Sequence, residues 1–462
     1  MPEALNDGKI ALARAVGALS RRGGRGGTSL PGKVLMRLDA DAVTRLSARL
    51  TRGTVLVSAT NGKTTTATMT ASILREAGIP LVHNRAGANM GGGIASTLLD
   101  AARAGGRIDG ELGLFEVDEF WLEQMVGQLR PRQLLLGNLF RDQLDRYGEL
   151  ETIADRWASL LRSPAGLDVG LVANADDPVI ADLGRDRPGV LYFGLQDERL
   201  ALPALAHAAD AKHCRRCGAP YRFDVIYLGH LGHYHCPQCG ATRPVPVVAA
   251  HDVVLEGTRA ARFQLRTPGG TATVQLGLPG LYNVYNAVAA AALATALDIP
   301  LATIVSGLQA TQAAFGRAET LVVAGRPVRI LLVKNPAGAN EVLRTLTLEH
   351  GELDVLAVLN DNVADGRDVS WVWDADFEAL APRIRRVTCS GTRAAELALR
   401  LKYAGVPSPR IAVRDDLGTA LDAAVADRPS SDSPLYALPT YTAMLALREL
   451  LAGRGVVRSS WA

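Results

Sequence analysis

The run Ser58-Ala59-Thr60-Asn61-Gly62-Lys63-Thr64-Thr65 has the residues and spacing to hold a nucleoside triphosphate. An apolar, β-branched run (Thr54 to Val57) precedes it, and a helical pattern from Thr66 to Ala77 follows, closed by Gly78 and Pro80. In a strand, Gly-Lys-Thr turn and helix, backbone N–H groups and a helix N-terminus gather phosphate oxygens. Lys63 would then reach the β/γ oxygens and the Thr64 hydroxyl would ligate Mg²⁺. Val57 stands where the general G-x-x-x-x-G-K-[ST] pattern has its first glycine, so the loop is of a particular subtype.

Two further stretches carry acids where such a loop needs them. Phe115-Glu116-Val117-Asp118-Glu119 ends an apolar strand, and a carboxylate at a strand tip beside a phosphate loop is placed to ligate Mg²⁺. Glu116 is the first choice, with Asp118 and Glu119 read as caps of the next helix. The segment from Gly137 to Gly148 turns polar directly after a buried strand, at the carboxyl edge where open α/β sheets bind ligands.

Cys214-x2-Cys217-x18-Cys236-x2-Cys239 has the spacing of a zinc site, each pair followed by glycine (Gly218, Gly240). Four thiolates close the tetrahedron, which makes the Zn²⁺ structural rather than catalytic. A neighbouring histidine (His207, His213, His230, His233 or His235) is an alternative ligand. Cys389 lies in an apolar run and reads as core.

These residues must be positioned by more than one domain, since the chain has 462 residues and 48% of them are hydrophobic. A net charge of +3 gives no argument for nucleic acid. Residues 1–54, however, hold ten Lys/Arg against four acids. That stretch reads as a solvated basic face, with anionic lipid as the sharper alternative, and Arg21 to Gly27 reads as a mobile connector. No signal peptide or membrane span is visible, so the expected location is cytoplasmic, with the inner face of the plasma membrane as an option.

Strand-like runs alternate with helical patterns from Thr54 to Leu195, which predicts a parallel α/β sheet. Residues 207–245 interrupt it with the cysteine ribbon. A hairpin pattern (Ala261–Thr267, Thr271–Leu276) and an Ala-rich helix (Asn283–Leu297) return the chain to the nucleotide domain. A second alternation starts at Val328. The expected division is a basic arm over 1–53, a central ATP-binding domain over 54–315, and a second α/β domain over 316–462.

Together these segments resemble the Mur ligase superfamily, ATP-dependent enzymes that join amino acids to peptidoglycan precursors or folate. The resemblance rests on Ala59 to Thr65, Asn138 with Asp142 and Asp145, Asn174-Ala175-Asp176-Asp177-Pro178, Gly280-x-x-Asn283-x-x-Asn286, and Gly316-Arg317. It implies a Mur-ligase-like central P-loop ATPase domain with the inserted four-cysteine zinc ribbon, followed by a Rossmann-like C-terminal α/β domain. Thr60, Asn61, Gly62, Lys63, Thr64, Thr65 and Asn138 would then bind the nucleotide, with Asn283 near the adenine. Arg317 would lie near the γ-phosphate or acyl phosphate.

Three departures narrow the resemblance. Residues 1–53 are too few for the UDP-binding domain of full-length members. Gln143 stands where histidine is usual. No lysine lies between Lys63 and Lys212, which removes the carbamylated lysine of most members. The short start, the ribbon, Lys334-Asn335-Pro336-Ala337-Gly338 and the segment Asn360 to Trp371 resemble one branch, the subunits that amidate lipid II. That branch implies phosphorylation of the D-glutamate α-carboxylate by ATP, with attack by ammonia. The ammonia comes from a class I, GatD-like glutaminase subunit held in a heterodimer. The C-terminal domain binds the partner, and Asp368 completes the partner's Cys-His pair. Lys63, Glu116 and Arg317 are the other expected catalytic residues. Two rivals stay open: an amino-acid-adding ligase of the folylpolyglutamate synthase kind, and a zinc-ribbon binding module with a degenerate nucleotide domain.

Overall fold

The computed structural model describes residues 7–22, 29–84, 87–104, 107–142, 150–205, 209–311, 317–430 and 433–457, without the side chains of 7, 19–22, 317 and 318. Two α/β sheets organise the chain. The first has nine strands: β1 (Thr54–Ser58), β2 (Leu81–His83), β3 (Leu112–Glu116), β4 (Gln133–Leu136), β5 (Gly170–Asn174), β6 (Leu191–Leu195), β9 (Val248–Glu256), β10 (Ala260–Thr267) and β11 (Gly270–Leu276). Their order is β11-β10-β9-β6-β5-β4-β1-β3-β2. Pairing is parallel from β2 to β9, and β10 and β11 extend that edge as an antiparallel meander.

Every residue of β1 and β3 is buried, as strands covered on both faces require. The pleat divides them: Val55 and Val57 pack with the helices Lys63–Glu76 and Leu281–Thr295, whereas Leu56 joins the opposite layer with Leu98 and Met125. β7 (Arg222–Leu228) and β8 (Leu231–His235) form a separate hairpin in the connection from β6 to β9. The ribbon is thus an insertion in a crossover.

The second sheet has six strands, β12 (Arg317–Val323), β13 (Arg326–Leu331), β14 (Leu353–Val358), β15 (Ile384–Ser390), β16 (Ile411–Val413) and β17 (Leu435–Pro439). They run in the order β12-β13-β17-β14-β15-β16, parallel except for β12. Apolar clusters cover both faces.

The stretch before Thr54 differs from the expected basic arm. It forms helices Asp7–Arg22, Leu30–Leu38 and Ala42–Ser47, whose Ile10, Ala13, Leu35, Val43 and Leu46 belong to the first domain's core. A Cβ at Gly32 would lie 2.0 Å from the Gly92 carbonyl, so glycine permits the close approach of two helices. Several of the basic side chains are occupied. Arg14 donates to the carbonyls of Ala102 and, at 2.7 Å, Leu99, while Lys9 and Arg45 pair with Asp39 at 3.3 and 3.0 Å. The run Arg21 to Gly27 lies outside the described residues apart from the backbone of its first two. No helix among the described residues is long and apolar enough to cross a membrane.

Candidate active site

Gly62 caps the helix Lys63–Glu76 with φ +83°, and a Cβ there would sit 2.0 Å from Asn286 Oδ1. Both facts exclude a larger residue. The loop is fixed from beneath by the strand-end segment of residues 138–140. Asn61 N donates to Asn138 Oδ1 at 2.9 Å, and Asn138 Nδ2 returns a bond to Asn61 O at 3.0 Å. Thr60 N donates to Asn138 O at 2.9 Å, and the Thr60 hydroxyl accepts from Phe140 N at 3.1 Å. In this structure Thr60 and Asn138 therefore shape the loop.

Lys63 is buried, with Nζ donating to Glu119 Oε2 at 2.8 Å and to the Ala59 carbonyl. Burial alone would lower its pKa, but Glu119, Asp118 and Glu116 outweigh it and hold the pKa above the ordinary lysine value. Burial likewise pushes Glu119 up, and Lys63 with Lys334 brings it below the ordinary carboxylate value. The two are a charged, mutually satisfied pair.

Thr64 Oγ1 donates to Glu116 Oε2 at 2.8 Å, and Asn89 Nδ2 lies 3.4 Å from Glu116 Oε1. Asn84 fixes the Glu116 backbone through its N–H and C=O, both at 2.9 Å. A hydroxyl and a carboxylate meeting beside a phosphate loop are hard oxygen donors, a set that suits Mg²⁺.

The second domain reaches this loop directly. Asn335 and Asn61 exchange side-chain amide bonds of 3.0 and 3.3 Å, and Asn335 Oδ1 also caps the helix Pro336–Thr347 through Gly338 N at 2.9 Å. Lys334 Nζ donates to Asp142 Oδ2. Asp142 is buried, its Oδ1 has no hydrogen-bond partner among the described residues, and burial raises its pKa against the pull of Lys334. Lys63, Glu119, Lys334 and Asp142 thus alternate in sign around the loop.

Other expected site residues are placed as follows. Asn283 Nδ2 donates to the Pro279 carbonyl at 2.7 Å and its Oδ1 accepts from Asn286 at 3.2 Å, so its amide is engaged within the protein. Asn286 Oδ1 in turn accepts from Thr66 at 3.3 Å. Asp176 and Asp177 are fully buried; Asp176 holds Tyr285 and Arg243 at 2.7 and 2.6 Å, and Asp177 caps the helix Pro178–Gly184. Arg317 opens β12, its side chain outside the described set; Gln143, Asp145 and Gly316 are also outside it.

The three aspartates after β14 separate by role. Asp361 accepts from Thr392 at 2.7 Å, and buried Asp365 accepts from Thr442 N at 2.7 Å, so both build the loop. Asp368 is exposed. Bonds from the Ser370 hydroxyl and N–H, the latter at 2.8 Å, hold its carboxyl below the ordinary range.

The four ribbon cysteines converge, with Cys214 Sγ 3.6 Å from Cys239 Sγ, Cys217 Sγ 3.4 Å from Cys236 Sγ, and all four sulfurs within 4.8 Å of one another. Tetrahedral thiolates about 2.3 Å from zinc would be spaced similarly. Two matching turns present them: Cys214 N donates to Ala219 O at 2.8 Å and Cys236 N to Ala241 O at 2.6 Å, with Gly218 and Gly240 at φ +75° and +73°. The Cys239 N–H, opposed by burial and helped by the Gln238 N–H, brings the Cys236 thiol down to about 6. Among the described residues the cluster holds no histidine; His233 bonds instead to Tyr227 and Leu195, and His235 to Asp224.

Sequence reasoning misread one participant and left one pairing unseen. Glu119 passed for a helix cap, although its place three residues after Glu116 on a strand tip was a usable signal. Asp142 and Lys334 are joined across 192 positions, which no local pattern reveals.

A phosphate loop on a largely parallel sheet, closed by a second α/β domain, defines a Mur-type ligase, an ATP-dependent enzyme forming carbon–nitrogen bonds. The Mur ligase middle domain matches residues 57–225, and the MurT ligase C-terminal domain matches residues 332–444. The chain is 34% identical to the MurT subunit of lipid II isoglutaminyl synthase (glutamine-hydrolyzing) from Streptococcus pneumoniae over 94% of both chains. It is 32% identical to that of Staphylococcus aureus over 96% of this chain and 97% of the other. A pseudomurein peptide ligase type C from Methanothermus fervidus shares the fold at TM-score 0.66 and 21% identity, covering 88% of this chain and 80% of that one. The chain belongs to the MurT family.

Proposed function

We propose that this chain is the synthetase subunit of a two-subunit amidating ligase acting on lipid II. A carboxylate oxygen of the substrate, the D-glutamate α-carboxylate of the stem peptide, attacks the ATP γ-phosphorus and ADP leaves. Ammonia nitrogen then attacks the carbonyl carbon of the acyl phosphate, inorganic phosphate departs, and a proton is lost from nitrogen. A carboxylate is a poor electrophile, and phosphorylation supplies the leaving group.

The chain's residues divide the work. Lys63 and the loop N–H groups bind the phosphates, and Lys63 exchanges Glu119 for phosphate oxygen. Thr64 and Glu116 would hold Mg²⁺, which neutralises charge on the transferring phosphoryl group. Lys334 and Asn335 bring the second domain onto the loop, while Arg317 and Asn283 remain candidates for the γ-phosphate and adenine. The four cysteines would hold a structural Zn²⁺.

The observation that carries the reading is Asp368. It is an ionised, exposed carboxylate on the second domain, fixed by Ser370 and absent from the buried cluster around Lys63. Such a group suits a histidine on another protein, the third member of a nucleophile–base–acid set. Trp373 and Tyr403, 49% and 72% exposed with ring centroids 5.9 Å apart, offer aromatic anchors on the same domain. The partner is a class I glutaminase that releases ammonia. With that partner present, Asp368→Ala should abolish amidation driven by glutamine and leave amidation driven by ammonium salts intact. Equal loss of both overturns the role of Asp368, and incorporation of an amino acid in place of ammonia overturns the function.

A further inference from the structure

His230 lies in the turn between β7 and β8 and is fully buried, yet neither ring nitrogen has a hydrogen-bond partner among the described residues. Buried polar groups in native proteins are nearly always satisfied, so a ring kept there without a bond calls for another reason. Its surroundings supply one. The imidazole packs on Phe140 with centroids 4.5 Å apart, and Nε2 stands 3.4 Å from Asp177 Oδ2. That same Asp177 oxygen accepts from Leu139 N at 2.9 Å. The turn also fits closely: Gly229 has φ +56°, and a Cβ on it would be 2.8 Å from the Phe140 ring.

Residues 138–140 are the segment that holds the nucleotide loop from beneath. Phe140 bonds with Thr60 through both its N–H and its carbonyl, and Asn138 with Asn61. The tip of the ribbon hairpin therefore packs on the same three-residue segment that bonds to the loop. Gly232 N anchors the hairpin to Asp176 O at 2.9 Å. Arg344 of the second domain donates to the Tyr227 carbonyl at 2.7 Å, so the second domain holds the hairpin as well.

We infer that His230 is a positioning residue for nucleotide binding: its ring sets Phe140, and through Thr60 the height of the Thr60–Lys63 loop. The ribbon, otherwise remote from the chemistry, thereby becomes part of the nucleotide site. This rests on the ATP site proposed above.

The test compares wild type, His230→Ala and His230→Phe for affinity toward fluorescent ATP analogues, kcat at saturating ATP, and zinc per chain. His230→Ala should weaken nucleotide binding about tenfold while kcat stays within about twofold, since a loop that holds its binding-competent shape only part of the time lowers apparent affinity by that fraction. His230→Phe, which keeps a ring against Phe140, should return affinity to within about threefold of wild type. Zinc content should be unchanged in both. Wild-type affinity in His230→Ala overturns the inference, as does a phenylalanine variant that binds as poorly as the alanine one. If alanine releases the zinc, the phenylalanine variant decides, and it must keep both metal and affinity. A wild-type protein that binds no nucleotide sinks the ATP reading instead.

Discussion

Asn61 of the phosphate loop and Asn335 of the second domain exchange side-chain amide hydrogen bonds at 3.0 and 3.3 Å, joining positions 274 residues apart. Each amide gives one donor and one acceptor, so the pair holds only one relative orientation of the two backbones. The first turn of the helix Pro336–Thr347 is thereby tied to the loop proposed to bind phosphate.

Replacing Asn335 removes this tie and the helix cap together. Asn335→Ala should cost about 1 kcal/mol of stability, within the range for a lost N-cap. It should raise KM for ATP roughly fivefold, the equivalent of about 1 kcal/mol. Steady-state kinetics at varied ATP measures it; an unchanged KM with a lowered melting temperature reduces Asn335 to its capping role.

Lys63 and Glu119 predict a separation of stability from activity. Lys63→Met leaves the buried Glu119 carboxylate without its hydrogen-bonded cation and with only the pull of Lys334, which costs on the order of 3 kcal/mol. Adding Glu119→Gln removes that charge, so the double variant should melt close to wild type while ATP turnover stays lost. A double variant no more stable than Lys63→Met would mean that the two charges do not depend on each other.

Glu341 gives a pH dependence. Burial, only partly opposed by Arg344, lifts its carboxyl to about 7 from an ordinary 4.5. The folded protein therefore holds a proton that the unfolded chain releases, and this contribution to stability is complete below pH 4.5 and lost as pH rises to 7. Glu341→Gln should be more stable than wild type by about 3 kcal/mol at pH 8, with the gain vanishing near pH 4. Melting curves at both pH values decide it, and a gain that persists at pH 4 would point to packing instead.

The ribbon should contain about one zinc per chain, and Cys236→Ser should lose it. Without the metal only a small cluster around Tyr221, Phe223 and Tyr234 holds the two knuckle turns, so proteolysis should cut first between Cys214 and Cys239. Elemental analysis with limited proteolysis reads both, and a metal-free wild type that resists cleavage there would remove the structural role.

Much of the first domain was readable because its signals are local. Thr54–Ser58 is apolar and β-branched, Gly62-Lys63-Thr64 starts a helix, and the cysteine pairs carry their own spacing. The short strand Leu81–His83 offers three residues and no alternation, so periodicity passes over it. The strand Val248–Glu256 hides its pattern behind a bulge opposite Arg262 and Gln264. The first fifty residues mislead in another way: their charge is conspicuous, whereas the apolar face of Ile10, Ala13, Leu35 and Val43 is spread over separate helices. The site was legible only where one segment suffices. Glu119, Asp142, Lys334 and Asn335 act in pairs that the fold assembles, and no single segment contains both members of a pair.

The two contacts that carry the second domain onto the loop differ in kind, and this has a consequence for ionic strength. The Asn61–Asn335 pair is neutral, so neither dissolved ions nor pH reaches it. The Lys334–Asp142 pair is charged, and the lysine side chain is 31% exposed. Dissolved ions, which screen open charges over about 8 Å at physiological concentration, reach this pair only from the lysine's side because Asp142 is buried. Added salt therefore weakens the lysine's hold and leaves the amide pair, so neighbouring Asn335 keeps the register of the two domains across ionic strengths.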